Sequence, residues 1–344
     1  MRVLLWHVHG SWTTAFVQGA HEYVVPVVPG RGPDGRGRAR TYDWPDTVAE
    51  LGPDELADTE VDVVIVQRPR DLELTERWLG RRPGRDVPCV WVEHNAPQGR
   101  IAELHHPAAG TEGVLVVHVT HFNDLFWDCG AAPTTVIEHG IVDPGHRYTG
   151  ELERIAVVVN EARRRGRVTG TDLLDRFAQA GPLDLFGIDA ATLGGIEDVP
   201  QAQLHDELAR RRVYLHPIRW TSLGLSLLEA MQLGMPVVAL ATTEVVEAVP
   251  PGTGVISTDV SVLTSALRRY LADPQHAAGH GAAAREHARG RYGLEPFLAR
   301  WDETLAAVAD GAGQHGGAGA VEGGRREPLA IGARGGMRRG GDLS

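Results

Sequence analysis

The stretch SLGLSLLEAMQLGMPVVAL, from Ser222 to Leu240, predicts a helix followed by a buried strand. Apolar residues recur along its first half with the spacing of one helix face, while Ser222, Ser226 and Glu229 recur on another face. Gly234 and the proline two residues later end the helix, because glycine adopts the left-handed conformation of a helix C-terminus and proline cannot continue a helix. One acidic residue is therefore carried on a short, otherwise apolar helix.

This helix lies between two predicted strands, Val213–His216 and Val237–Leu240, and so completes a βαβ unit. Its N-terminus, at Gly224 and Leu225, then opens at the C-terminal edge of the sheet, where α/β proteins bind their ligands. The free N–H groups of such a terminus bind phosphate. Glu229, about two turns into the helix, is placed to accept hydrogen bonds from sugar hydroxyls.

The same stretch resembles the nucleotide-binding core of the family-4 glycosyltransferases of the actinobacterial type, which are retaining enzymes of the GT-B fold. Glu229-Ala230-Met231, Gly234 and Pro236-Val237-Val238-Ala239 match the family pattern. That pattern has a first glutamate where this chain has Thr221. The resemblance implies a donor site that includes Thr221, Ser222, Gly224, Leu225, Ser226 and Glu229. An ordinary buried βαβ unit with an incidental glutamate remains the alternative.

Strand-like and helical segments alternate along the whole chain, which predicts an α/β fold with doubly wound parallel sheets. The resemblance implies the GT-B plan, in which two Rossmann-like domains face a central cleft. It places the acceptor-side domain at residues 1–143, the nucleotide-sugar domain at 154–290 and a helix returning to the first domain at 291–309. The composition of residues 310–344, rich in Gly and Arg, predicts a disordered tail.

Charge and composition exclude several classes of function. The net charge is −11, which disfavours a nucleic-acid partner, and all 34 basic residues are arginine. Every cationic contact to phosphate must therefore come from arginine. Cys89 and Cys129 have no ligand-like neighbours, so we expect inert thiols, no metal site and a cytoplasmic location. No segment is long enough to span a bilayer, although contact with a membrane surface stays open.

A basic loop follows the first predicted strand of the second domain. The family pattern has an arginine and a lysine there, both of which contact the donor diphosphate, but the lysine position is Thr169 in this chain. We therefore expect neighbouring arginines to bind the diphosphate. The candidates are Arg163, Arg164, Arg165 and Arg167. The alternative is a solvated run of charge, which such clusters usually are.

Three further candidates come from the resemblance. His94 follows a predicted strand at the position of a family histidine that faces the donor sugar, and with Glu229 it forms the predicted catalytic pair. Gly10 partly matches a Gly-rich loop near the phosphates. Glu244 matches the end of a turn in the donor site, although the glycines of that turn are missing. The alternative for His94 is an ordinary surface histidine.

The resemblance as a whole implies that a hexose moves from a UDP- or GDP-linked sugar to an acceptor hydroxyl, with retention of configuration. The nucleotide sugar is a substrate, so no cofactor is expected. Two other functions stay open. A non-hydrolysing nucleotide-sugar epimerase shares the fold, and Thr221 in place of the family glutamate leaves open a binding partner without catalysis.

Overall fold

The computed structural model describes residues 1–314 and contains two parallel sheets. The strands of the first sheet are β1 (Arg2–Leu5), β2 (Glu22–Pro26), β3 (Val48–Leu51), β4 (Val63–Val66), β5 (Cys89–Glu93), β6 (Val114–His118) and β7 (Thr134–Val136). Their order across the sheet is β3-β2-β1-β4-β5-β6-β7. The order reverses direction at β1, as it does in doubly wound folds.

The second sheet follows after a connecting segment. Its strands are β8 (Leu152–Val158), β9 (Leu183–Phe186), β10 (Arg211–His216), β11 (Val237–Leu240) and β12 (Gly254–Ser257). Their order is β12-β11-β10-β8-β9, and all pairs are parallel. The two sheets confirm the predicted fold class, that of GT-B.

Helices cover both sheets. They are α1 (Gly10–Phe16), α2 (Pro53–Ala57), α3 (Pro69–Leu79), α4 (His121–Phe126), α5 (Ala162–Arg165), α6 (Leu174–Phe177), α7 (Gln201–Arg210), α8 (Leu225–Leu233), α9 (Val245–Ala248), α10 (Val260–Ala272), α11 (Pro274–Arg291) and α12 (Leu294–Gln314). Short 3₁₀ turns occur at Pro29–Arg31, Ile101–Glu103, Thr171–Leu173 and Ala190–Leu193. No helix in residues 1–314 has the length and apolarity needed to cross a membrane.

The central strands are apolar because helices cover both of their faces. Every residue of β4 and β11 is buried. Strands buried on both sides read as continuous apolar runs rather than as alternating patterns, which made them visible in the sequence. The apolar cores on the two faces of each sheet hold the βα loops in place at the C-terminal edges.

The chain crosses between the domains twice, and the two crossings touch. The backbone N–H of Ile141, in the connecting segment, donates to the carbonyl of Tyr292, between α11 and α12, at 3.0 Å. Helix α12 then packs its Trp301 against Trp12 and Phe16 of the first domain. Residues 310–314, predicted as the start of the tail, continue this helix. The remainder of the predicted tail lies outside the described residues.

Candidate functional site

Helix α8 begins at Leu225, which confirms the N-terminus predicted at Gly224 and Leu225. Gly224 is its N-cap, and Gly234 ends it in the left-handed conformation with φ of 90°. Ser222 therefore precedes the helix and does not share a face with Ser226 and Glu229, so that prediction is wrong. The apolar run around Leu223 mimicked a helical turn, although it belongs to the loop after β10.

The carboxylate of Glu229 is nearly buried and has three partners. It accepts hydrogen bonds from the hydroxyl of Ser11 at 3.1 Å and from Nε2 of Gln201 at 3.2 Å, and Nε2 of His205 lies 3.5 Å away. Ser11 belongs to the first domain, whereas Gln201 and His205 lie on α7. None of these three partners was predicted, because contacts between distant elements leave no periodic signal in the sequence.

Beside Glu229 lies a cavity of about 340 Å³ between the two domains. Its walls come from α1, the connecting segment, α7 and α8. Side chains that line it include Ser11, Thr14, Asp143, Arg147, Gln201 and Glu229. Gly10 lies at the same junction, where an added Cβ atom would be 2.8 Å from the ring of Tyr42. Because Gly10 directly precedes Ser11, which donates to Glu229, the predicted residues Gly10 and Glu229 lie near each other.

The loop before α8 contacts the first domain at the end of β5. The hydroxyl of Ser222 donates to the carbonyl oxygen of His94 at 2.5 Å. Next to it, the indole Nε1 of Trp220 donates to the carbonyl of Pro97 at 2.7 Å. The side chain of Thr221, between them, makes no hydrogen bond within residues 1–314. The N-terminus of α8 thus faces the strand end that carries His94.

Gly224 is required by a close approach. A Cβ atom at this position would lie 2.4 Å from Cε1 of His216, which is fully buried. Leu225 follows as the first helical residue. Ser226 accepts a hydrogen bond from the hydroxyl of Tyr214 at 2.9 Å, so its own hydroxyl hydrogen stays available.

His94 belongs to a group of buried imidazoles. Its ring centroid lies 4.1 Å from that of His9 and 6.4 Å from that of His139. The ring centroid of Trp12 lies 5.0 Å from that of His94. Burial, together with His9 and His139, lowers the pKa of His94 well below its ordinary value. Burial also lowers the pKa of His9 to about 4 and that of His139 to about 3. All three rings are therefore neutral at pH 7.

His94 is also unsatisfied. Its Nε2 atom is buried and has no hydrogen-bond partner among the described residues. A neutral imidazole offers one donor and one acceptor, so this nitrogen has an unused capacity for a hydrogen bond. The low pKa of His94 makes it a poor proton acceptor at neutral pH.

The four candidate arginines differ from one another. Arg163 donates to the carbonyl of Thr192 at 2.6 Å, and Arg164 is paired with Glu161. Arg165 is half-buried, and its side chain has no hydrogen bond or ion pair within residues 1–314. Burial and the neighbouring Arg164 lower its pKa. The family lysine position, Thr169, is buried and hydrogen-bonded.

Arg167 is largely exposed and reaches only Asp172, at 3.5 Å. Arg219, which the sequence analysis missed, pairs more tightly with the same carboxylate, at 2.5 Å, and donates to the carbonyl of Arg167 at 2.8 Å. The basic loop therefore lies against residues 217–220, which lead to α8. Arg219 lies three residues after the end of β10 at His216, and its position near a strand end was the signal that could have identified it.

Glu244 contacts the first domain. Its Oε2 atom accepts a hydrogen bond from the backbone N–H of Phe122, at the start of α4, at 2.8 Å. Its Oε1 atom is buried without a hydrogen-bond partner in the described part of the chain, and Arg291 lies 4.0 Å away. No cluster of three metal-ligating side chains occurs within residues 1–314.

Comparison with known families and proteins agrees with this geometry. Residues 184–273 match the model of the family described as "Glycosyl transferases group 1". The chain is 31% identical over 152 residues to the GDP-mannose-dependent monoacylated alpha-(1-6)-phosphatidylinositol monomannoside mannosyltransferase of Corynebacterium glutamicum. It is 37% identical over 89 residues to the lipopolysaccharide core biosynthesis mannosyltransferase LpcC of Rhizobium leguminosarum. These matches cover 43% and 25% of this chain, but only 34% and 25% of the two relatives.

Solved structures resemble the chain over most of its length. Sucrose-phosphate synthase from Thermosynechococcus elongatus aligns with a TM-score of 0.69 and 14% identity, over 90% of this chain and all of that one. Anabaena HepE in complex with UDP aligns with a TM-score of 0.63 and 16% identity, over 89% and 99% of the two chains. The chain therefore has the GT-B fold, and its second domain contains the segment that matches the group 1 glycosyltransferases.

Proposed function

We propose that this protein is a retaining glycosyltransferase that moves a hexose from a nucleotide-sugar donor to an acceptor hydroxyl. The observation that carries the proposal is the 2.5 Å contact between Ser222 and the carbonyl of His94. It sets the loop that leads into α8 against the strand end that carries His94, whose imidazole is buried and neutral. A helix N-terminus favours the charge of a departing diphosphate, and the imidazole is suited to a sugar hydroxyl.

In this proposal the second domain binds the nucleotide. The N–H groups at Gly224 and Leu225, with Arg165 and Arg167, would stabilise the diphosphate as it leaves, which is electrostatic catalysis. Glu229 would accept hydrogen bonds from the ribose, in exchange for the one that Ser11 now donates. No residue is assigned as a general base, since the leaving phosphate can take the proton of the acceptor.

We further propose GDP-mannose as the first donor to test. Both curated relatives are named as mannosyltransferases, and the name of one specifies GDP-mannose. A cytoplasmic location is supported by two free, buried cysteines, Cys89 and Cys129, which fit a reducing compartment.

The test is a panel of UDP- and GDP-linked hexoses, each incubated with the protein and a mixture of simple acceptors. The expected result is release of nucleoside diphosphate from one donor, with a product whose anomeric proton coupling shows retention. The Glu229→Ala variant should release none. Inversion of configuration, or conversion of the nucleotide sugar to an epimer without acceptor, would overturn the proposal.

Thr221 favours one competing function, binding without catalysis. The glutamate of the family pattern is replaced by a smaller, uncharged side chain that has no hydrogen-bond partner in residues 1–314. If the protein binds GDP or UDP but releases no diphosphate from any sugar of the panel, this second function is correct. If the Thr221→Glu variant releases nucleoside diphosphate and the wild type does not, the residue at this position accounts for the missing activity.

A further inference from the structure

We propose that a pocket in the first domain, walled by Trp91 and Trp127, binds the acceptor, and that the group bound there is a saccharide ring. This inference rests on the proposed transferase function and names the substrate class for it. The pocket has a volume of about 300 Å³, which is in the range of small-ligand sites.

The pocket lies where a ligand of a doubly wound sheet is expected. Gln67 and Arg68 follow β4, and Asn95 follows β5, so the pocket opens at the C-terminal edge of the first sheet. Pro97, two residues beyond Asn95, accepts the hydrogen bond from Trp220 of the second domain. The pocket therefore adjoins the contact between the domains.

Two indole rings wall the pocket. Trp91 is buried, whereas Trp127 is partly exposed and is held in place by its Nε1 atom, which donates to the carbonyl of Asn95 at 2.8 Å. A rigid aromatic face of this kind packs well against the C–H face of a pyranose ring, at little cost in side-chain entropy. The polar Nε1 edge of Trp127 is already used, so its contribution to a ligand is the ring face.

Two side chains of the lining each carry a buried polar atom without a partner. These atoms are Oε1 of Gln67 and Nε1 of Trp91, each without a hydrogen bond in the described chain. The amide of Gln67 cannot simply rotate, because its Nε2 atom donates to the carbonyl of Trp6 at 2.7 Å. One unsatisfied acceptor and one unsatisfied donor match hydroxyl groups, which both donate and accept. An apolar acceptor would leave both atoms unpaired.

A carboxylate in the wall argues against an anionic ligand. Glu93 is buried, and its two oxygens accept from Asn95 N–H at 2.6 Å and from Nε2 of His106 at 3.0 Å. Nδ1 of His106 accepts from the N–H of Ala108, so the proton of the neutral ring is on Nε2. The carboxylate is thus fixed, and its remaining lone pairs are available to hydroxyls. It would repel a phosphate or carboxylate, because Arg68, the cation of the lining, is already paired with Asp71 at 2.6 Å.

Binding is tested on the free protein, without any donor. Methyl glycosides of glucose, mannose, galactose, N-acetylglucosamine and xylose are offered at millimolar concentration, and saturation transfer from protein to ligand is measured by NMR. At least one glycoside should bind and should lose about tenfold in affinity in Trp127→Ala. The matched control is Leu125→Ala, on the neighbouring helix with a side chain 79% exposed, which should bind as the wild type does.

Two results would overturn the inference. They are the absence of transfer to every glycoside, and preferential binding of cyclohexanol, the apolar probe run beside them. The rate of donor hydrolysis without acceptor separates this inference from the proposed function. The Trp127→Ala variant should keep the wild-type rate of hydrolysis, but a glycoside should no longer increase that rate. A protein that cleaves no donor but binds glycosides through Trp127 would contradict only the transferase proposal.

Discussion

The hydroxyl of Ser11 in the first domain donates a 3.1 Å hydrogen bond to the carboxylate of Glu229 in the second. The same oxygen also accepts from Gln201 of α7. A ligand that uses this oxygen competes with Ser11 and Gln201 for it, and competition with Ser11 couples occupation of the site to the contact between the domains.

Glu229→Ala should abolish measurable binding of GDP or UDP, because it removes the acceptor proposed for the ribose. Ser11→Ala should bind the nucleotide at least as tightly as wild type, because it removes a competitor for the carboxylate and leaves the carboxylate in place. Isothermal titration of each variant checks this, and circular dichroism shows whether the Glu229 variant is folded. Equal loss in both variants would mean that Ser11 is itself part of the nucleotide site.

Arg165→Gln should weaken nucleoside diphosphate far more than it weakens free nucleoside. Its guanidinium has no partner within residues 1–314, so it is free to bind phosphate. One lost charged hydrogen bond corresponds to roughly ten- to a hundredfold in affinity. Arg164→Gln is the matched control, since Arg164 already pairs with Glu161 and should matter little. If both variants bind diphosphate as wild type does, the basic loop is only solvated charge.

Gly224→Ala should destabilise the protein and weaken diphosphate binding together. The added methyl group meets His216 at 2.4 Å, and overpacking of a buried site typically costs about 1–3 kcal/mol. Adding His216→Ala makes room for that methyl group. Thermal melts and titrations on the single and double variants should therefore show that the second change restores part of the binding. If the losses of stability and binding in the double variant equal the sum of those in the single variants, the effect of Gly224→Ala comes from the backbone and not from the contact with His216.

Acid should destabilise the fold through the buried histidines. His9, His94 and His139 all have a pKa below 6.5 in the folded state, so they stay neutral while the unfolded chain takes up protons. Stability is then lost as the pH falls from about 6.5 toward 4, by up to about 1.4 kcal/mol per pH unit for each group. Urea midpoints between pH 7 and pH 4.5 measure this loss.

His139→Phe isolates one of these groups. Both ring nitrogens of His139 are buried without partners in the described chain, so an apolar ring of similar size breaks no hydrogen bond. The free energy of unfolding of the variant should fall less steeply as the pH falls, because its unfolding takes up about one proton fewer than that of the wild type. An unchanged slope would show that His139 titrates normally in the folded protein.

Much of the second domain could be predicted from the sequence. The sequence predicts strands at Leu183–Phe186, Val237–Leu240 and Gly254–Ser257, and β9, β11 and β12 have these bounds. It also predicts a helix at Val260–Ala272, which is α10. In the first domain β3 was missed, because its sequence Val-Ala-Glu-Leu is short and it forms the edge of the sheet. An edge strand buries fewer side chains and so leaves a weaker pattern.

The candidate site was less predictable than the fold. The sequence indicated which residues follow strands, so His94, Glu229 and the basic loop could be singled out. It could not indicate that Ser222 contacts His94. Nor could it indicate that Arg164 pairs with Glu161 and that Arg163 donates to the carbonyl of Thr192. Such pairings depend on how loops from separate strands meet, and residues far apart in the chain carry no shared spacing.

The hydrogen bond between Ile141 and Tyr292 joins the two places where the chain passes from one domain to the other. Two passages fastened at one point leave the domains little freedom to slide apart, but they permit rotation about that point. Any such swing displaces atoms in proportion to their distance from the pivot. In a rotation about this point, contacts between the domains that lie far from Ile141 and Tyr292 separate more than contacts close to them. The position of this backbone hydrogen bond therefore determines how far each contact between the domains can open.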